Sequence, residues 1–214
     1  MADIKGIIFD MDGVILDTET ICFRTWKIAG NEFHLADIEK AQHACLGTNK
    51  TDTLSILRQL YGNNFEAEHF LERTSELFSQ IETTEGIQLM PYADETLSYL
   101  VKKYTVALAT STRREKASRQ LENAGVKKYF SSLTFGDMVT HSKPEPEIYL
   151  MACRSAGLKP EECAAVEDSP NGIRSAYAAG MQCIMIPDKI QPTDEMRKCC
   201  THICKSLKEL QTLL

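Results

Sequence analysis

Asp10 and Asp12 stand one residue apart at the end of the apolar run GIIF, with Gly13 directly behind them. Farther along, Thr110-Ser111-Thr112 closes the run TVALA, His141-Ser142-Lys143-Pro144 precedes a helical pattern, and Glu167-Asp168-Ser169 closes CAAV. Brought together, Asp10, Asp12, Glu167 and Asp168 would place up to four carboxylates side by side. Two like charges about 4 Å apart repel by roughly 4 kcal/mol even at an effective dielectric of about 20. Such a cluster needs a cation or a proton. An all-oxygen donor set suits a hard ion, and Mg²⁺ is the usual one where phosphate shares the site. Lys143 and the hydroxyls of Thr110 and Ser111 would then meet a phosphoryl group as a point charge and as donors. Gly13 permits a tight turn and a close backbone approach. Each piece alone has an ordinary explanation: an aspartate capping a turn, a Thr-Ser-Thr helix cap, a Lys-Pro loop. It is their joint occurrence, in this order, that points to a site.

For these loops to meet, the surrounding elements must bring strand ends to one side. Gly6–Phe9, TVALAT, Leu133–Phe135, CAAVED and MQCIMIP read as strands. REKASRQLENAG, Pro146–Ala156 and SPNGIRSAYAAG read as helices, the first and last closed by Gly125 and Gly180. This alternation predicts an α/β fold, a doubly wound parallel sheet with helices on both faces. Ligands in such sheets bind beyond the carboxyl ends of the strands, where the polar residues named above collect. The stretch from 18 to 85 shows no strand pattern. Phe23, Trp26, Lys27 and Gly30 fit one helix, Thr51, Leu54, Ile56, Leu57 and Leu60 a second, and Phe65 to Ile81 a third. The block reads as an inserted helical cap domain, residues 17–86, within a core formed by 1–16 and 87–214. The expected crossings are Leu16–Glu19 and Gly86–Tyr92.

Composition narrows the classes. The chain is 43% hydrophobic and 25% charged with a net charge of −6, and it contains no run of five or six lysines or arginines. Neither a nucleic-acid nor an acidic-membrane surface is expected, and no apolar stretch reaches the length of a membrane span. Asp3 and Lys5 lead straight into a strand, so no signal peptide is expected and a cytoplasmic setting is. The eight cysteines read as reduced thiols. Cys199, Cys200, His202 and Cys204 crowd together in KCCTHICK, but their spacing departs from zinc-ligand pairs and suggests a packing segment.

FDMDGVILDTE, ALATST, SKPEPEIY and AVEDSPNGIRSAYAAGM together resemble the motifs of the haloacid-dehalogenase-like superfamily, over nearly the whole chain. The subgroup most similar is the β-phosphoglucomutase and small-metabolite phosphatase branch. The resemblance implies a Rossmann-like core with a small helical cap after the first strand. It makes Asp10 the nucleophile that forms an aspartyl-phosphate, and Asp12 the general acid and then the general base. Thr110, helped by Ser111, binds phosphate, and Lys143 neutralises the nucleophile and the phosphoryl group. Asp168 binds Mg²⁺ together with the Asp10 carboxylate and the Asp12 backbone carbonyl. Glu167 is a further ligand or the support of one, and Ser169 and Asn171 orient that loop.

Within the superfamily Asp12 argues for a phosphate ester over a haloacid, because a halide leaves unprotonated and an alkoxide does not. The segment CFRTWK is similar to the mutases' HFRAWK, with Cys22, a weak hydrogen bonder, in place of histidine. Lys50, in LGTNK, stands where the mutase cap has arginine and lacks its bidentate fork. Arg73 is a further candidate cation, and Glu19, Gly47 and Lys50 lie at the expected mouth. Lys50 and Arg73 equally fit a solvated helix face. The expected function is a Mg²⁺-dependent phosphatase for a small phosphomonoester, sugar phosphates first. The alternatives are a β-phosphoglucomutase-type phosphosugar mutase and a non-catalytic metabolite-binding member. The expected partner is a small phosphorylated metabolite, with no nucleic acid or membrane, and the expected state is a monomer.

Overall fold

The structure is a computed structural model that describes residues 4–48 and 50–214. Along the chain, β1 (Gly6–Phe9) is followed by α1 (Thr18–Glu32), α2 (Ile38–Cys45), α3 (Lys50–Tyr61), α4 (Ala67–Glu85) and α5 (Ala93–Leu100). Then come β2 (Thr105–Thr110), α6 (Arg114–Asn123), β3 (Ser132–Phe135), α7 (Glu147–Ser155), β4 (Cys163–Glu167) and α8 (Pro170–Ala178). β5 (Gln182–Met185), α9 (Asp194–Cys199), β6 (His202–Ile203) and α10 (Leu207–Leu213) complete it.

The six strands form one sheet in the order β3-β2-β1-β4-β5-β6. Every pair is parallel. Consecutive residues Ile7, Ile8 and Phe9 are all fully buried, as are Ala107, Leu108 and Ala109. Such unbroken apolar runs are what a parallel sheet covered on both faces requires, and helices lie on both sides of this one. Ile8, Ala107, Ala109, Ala165 and Met185 pack on one face with Ile148, Tyr149 and Ala152 of α7 and Ile173 and Ala176 of α8. Phe9 lies level with Leu108 of β2 and Val166 of β4. The residues that follow these three strands therefore emerge side by side. β1 is also where the strand order reverses, the usual crevice for a ligand in this architecture.

The chain divides into two compact units, Met1–Asp17 with Gln88–Leu214, and Thr18–Ile87. In the first, the outgoing and returning strands are tied at the crossing. Leu16 bridges Leu89 in antiparallel fashion, the Met90 N–H donates to Ile15 O at 2.9 Å, and the Asp17 N–H donates to Gln88 O at 2.9 Å. The second unit holds α1 to α4 around Trp26, Ala29, Ile38, Leu57 and Phe70. Trp26 meets Phe70 edge-on at 5.2 Å. A Cβ on Gly30 would come within 2.7 Å of Ile38, so this glycine in the last turn of α1 lets α2 lie against it.

Some elements differ from the sequence expectation. α4 begins at Ala67 rather than Phe65, because the Phe65 N–H closes a turn onto Gly62 O at 3.0 Å. β4 ends at Glu167, one residue before the end of CAAVED. α2, α5, α9, α10 and β6 have no counterpart in the pattern reading; each spans eight residues or fewer, too short for a decisive period. The cysteines are all free thiols, and Cys204 is buried. Among the described residues, the side chains that gather as a metal could use them are Asp10, Glu167 and Asp168, not the C-terminal cysteines and histidine. No helix among the described residues is long and apolar enough to cross a membrane.

Candidate active site

β1 continues for one residue past its assigned end: the Asp10 N–H donates to Val166 O at 2.9 Å, and Asp10 is left 7% exposed. The chain then coils. Ile15 and Leu16 N–H both donate to Met11 O, at 2.9 and 3.0 Å, and the Gly13 N–H donates to Leu16 O at 2.9 Å. Gly13 has φ +73°, and a Cβ there would sit 2.5 Å from Asp168 Oδ2. The turn thus passes Asp168 at a distance open only to glycine, in a backbone region that favours it.

Lys143 enters from the loop before α7. Its Nζ donates to Asp10 Oδ1 at 2.7 Å, Glu167 Oε1 at 2.6 Å and Ala109 O at 3.2 Å. The loop itself is held by Glu147, whose carboxylate accepts the N–H groups of Thr140 at 3.0 Å and His141 at 2.8 Å. Glu167 is fully buried. Its Oε1 accepts a second bond from the Tyr149 hydroxyl at 2.7 Å. Its Oε2 accepts Ser169 Oγ at 3.1 Å and the Asp168 N–H at 3.2 Å. Gly172, in the first turn of α8, makes room for it: a Cβ there would lie 1.9 Å from the Glu167 carboxyl. Ser169 also caps α8, accepting the Gly172 N–H at 3.0 Å.

Burial dominates the electrostatics. It pushes the Asp10 carboxyl up to about 7 against the pull of Lys143, with Glu167 and Asp12 adding to the rise. Burial alone would lower Lys143, but Asp10 and Glu167 overcome it and hold the ammonium above its ordinary range. Lys143 is therefore a permanent positive charge.

Asp12 is held differently. Its Oδ2 accepts Thr112 Oγ1 at 2.9 Å and Thr110 Oγ1 at 3.4 Å. Thr110 Oγ1 in turn accepts the Thr112 N–H at 3.0 Å. Ser111 is exposed, and its backbone lies against Gly136, where a Cβ would come within 2.0 Å of Ser111 O.

Asp10, Glu167 and Asp168 each offer a carboxylate oxygen, all within 4.8 Å of one another. Hard oxygens in a buried site fit a hard cation. Both oxygens of Glu167 already accept protein donors. Glu167 thereby anchors Lys143, and all three carboxylates stay in the group a metal could use. The Asp12 carboxylate is outside this group; only its backbone carbonyl remains a candidate donor.

The cap candidates all lie in the helical unit. Gly47 turns the chain after α2 with φ +70°. Lys50 opens α3 and lines a cleft of about 570 Å³ with Trp26, Thr53 and Glu72. Arg73 is committed to its own unit, forking onto Glu32 at 2.7 and 2.9 Å and reaching Glu76 at 3.0 Å. Cys22 packs beside Ile21, Phe78 and Ile81, and Glu19 is in the first turn of α1. Asn171 accepts a bond from Arg174 at 3.0 Å. Sequence reasoning missed Tyr149, Thr112 and Gly172 as parts of the site. For Tyr149 a signal existed: a tyrosine on the buried stripe of a helix usually has a partner for its hydroxyl.

A family profile for haloacid dehalogenase-like hydrolases matches residues 7–186, and the chain belongs to that family. It is 31% identical over 179 residues to a phosphorylated carbohydrates phosphatase of Thermotoga maritima, covering 83% of this chain and 82% of the relative. It is 30% identical over 183 residues to a fructose-1-phosphate phosphatase of Escherichia coli, covering 84% and 94%. A hydrolase of this family from Deinococcus radiodurans, solved with bound phosphate and sodium, shares the fold with a TM-score of 0.81 at 23% identity, over 98% of this chain and 94% of that one.

Proposed function

We propose that this protein is a Mg²⁺-dependent phosphatase that hydrolyses a small phosphomonoester, with sugar phosphates the leading class, through a phosphoryl group carried on Asp10. The observation that carries the reading is the buried Lys143 shared between Asp10 and Glu167 at the end of β1, with Asp12 on hydroxyls beside it. Support for the substrate class comes from the phosphatases of phosphorylated carbohydrate and fructose 1-phosphate that the chain resembles over most of its length.

In the first step an Asp10 carboxylate oxygen forms a bond to phosphorus while the ester P–O bond breaks, and Asp12 gives its proton to the departing alkoxide. In the second, Asp12 takes a proton from water, the water oxygen attacks phosphorus, and inorganic phosphate leaves Asp10 as the carboxylate. Lys143 pulls Asp10 toward its ionised form and offsets charge on the phosphoryl oxygens, and the Thr110 hydroxyl donates to one of them. Mg²⁺, held by Asp10, Asp168 and the Asp12 carbonyl, would supply further neutralisation of the phosphoryl charge.

The test is a panel of sugar phosphates and p-nitrophenyl phosphate, with Mg²⁺ and after chelation. Phosphate release that is lost with EDTA, restored by Mg²⁺ and absent in Asp10→Asn is expected. Release that survives chelation would contradict the metal assignment, and none above the Asp10→Asn control would leave a non-catalytic binder. Glucose 6-phosphate accumulating ahead of free phosphate, from β-glucose 1-phosphate with a trace of the 1,6-bisphosphate, would make the protein a mutase.

A further inference from the structure

We infer that Thr112 is a positioning residue for proton transfer: its hydroxyl holds Asp12 by one carboxyl oxygen and leaves the other to carry the proton. This rests on the role of Asp12 proposed above. The two bonds to Asp12 Oδ2 are unequal, with Thr112 Oγ1 at 2.9 Å and Thr110 Oγ1 at 3.4 Å. The proposed reaction turns the Thr110 hydroxyl to the phosphoryl group, so its longer bond to Asp12 is the one given up. Thr112 then remains as the anchor.

A protonated carboxyl has one oxygen that accepts well and one that carries the proton. A donor fixed on Oδ2 makes that oxygen the acceptor and places the proton on Oδ1. The donor is itself fixed. The Gly136 N–H donates to Thr112 O at 3.1 Å, so the end of β3 pins the loop. Gly136 also lies too close to the Ser111 backbone for any side chain, which keeps the two loops in register. Thr112 thus links a rigid sheet edge to an acid on a coiled turn.

The prediction concerns leaving groups. An alkoxide needs the proton during P–O cleavage, whereas p-nitrophenolate departs without it. Thr112→Val removes the hydroxyl and keeps the shape; Thr112→Ser keeps the hydroxyl. For Thr112→Val, kcat/KM on an aliphatic phosphate ester, which reports the step in which the alkoxide leaves, should fall on the order of tenfold, part of the 10²–10⁴ range of general-acid contributions. Its kcat/KM on p-nitrophenyl phosphate should fall no more than about threefold. Thr112→Ser should restore both. Thr112→Ala gives the same reading should the valine variant fold poorly. Equal losses on both esters, or a serine variant no better than valine, would overturn the proposal. Asp12→Asn run in parallel separates the two ideas. Leaving-group discrimination in Asp12→Asn but not in the Thr112 variants sinks the role of Thr112 alone. No discrimination in Asp12→Asn sinks the acid role of Asp12, and the proposal with it.

Discussion

Asp10 and Asp12 are one residue apart, and their carboxylates are held by opposite means. Asp10 is buried at 7% exposure against an ammonium that is itself locked onto a buried glutamate. Asp12 is half-buried and bonded to two threonine hydroxyls. The first environment sets a fixed positive charge against the nucleophile: every oxygen of Glu167 has a donor, and Lys143 is forced to stay protonated. The second fixes direction without fixing charge, since a hydroxyl can donate to a carboxylate or to a neutral acid. A nucleophile needs the former and a proton carrier the latter. The division arises because β1 runs into the sheet interior at position 10 and has coiled out of it by position 12.

The sharpest way to break the contrast is to remove the charge from the buried side. Lys143→Met should leave Asp10 and Glu167 uncompensated and cost about 3–5 kcal/mol of stability, as for other broken buried ion pairs. It should also abolish turnover. Urea denaturation reads the first effect; a loss below about 1 kcal/mol would mean that water already screens this site.

Next comes the proton side. Asp12→Asn should lower kcat/KM on aliphatic esters by roughly 10²–10⁴-fold, with a much smaller loss of kcat/KM on p-nitrophenyl phosphate and little change in stability. A large stability loss would mean that Asp12 is structural in the way Glu167 is.

A finer cut tests the support beneath Lys143. Tyr149→Phe deletes one donor from Glu167 Oε1 and should cost about 1.5–3 kcal/mol, the range for a hydrogen bond to a charged group. Turnover should fall less than for Lys143→Met. Stability unchanged within error would show that Lys143 and the Ser169 loop satisfy Glu167 alone.

A further effect is expected on the pH dependence of stability. Burial holds the Asp10 carboxyl at about 7 instead of 3.8. Between those values the folded, metal-free protein keeps a proton that the unfolded chain has lost, so this group makes stability fall as pH rises through that window. Melting curves in EDTA should therefore slope downward over the window more steeply for the native protein than for Asp10→Asn. Added Mg²⁺ should recover stability at its upper end. Parallel slopes for the two proteins would remove Asp10 as the source.

Asp10, Thr110 and Glu167-Asp168 were legible in the sequence because each closes an apolar strand run: Asp10 after GIIF, Thr110 after TVALA, Glu167-Asp168 after CAAV. Strand alternation with helices then brings those ends together. For Tyr149 the need of a buried hydroxyl for a partner was legible but the partner was not, because only the packing of α7 on the sheet brings its hydroxyl to Glu167. Arg73 shows the converse. Sequence reveals its charge but not that Glu32, on α1, takes up its fork. In the same way α2 escapes a periodicity reading, since eight residues span barely two turns.

The central claim is that Asp10 carries the phosphoryl group. Protein quenched in acid during turnover, digested and weighed by peptide mass spectrometry tests it directly. One added phosphoryl group on the peptide containing Asp10, absent from Asp10→Asn, is the predicted result. Phosphoryl mass on another residue, or steady turnover by Asp10→Asn, would contradict it.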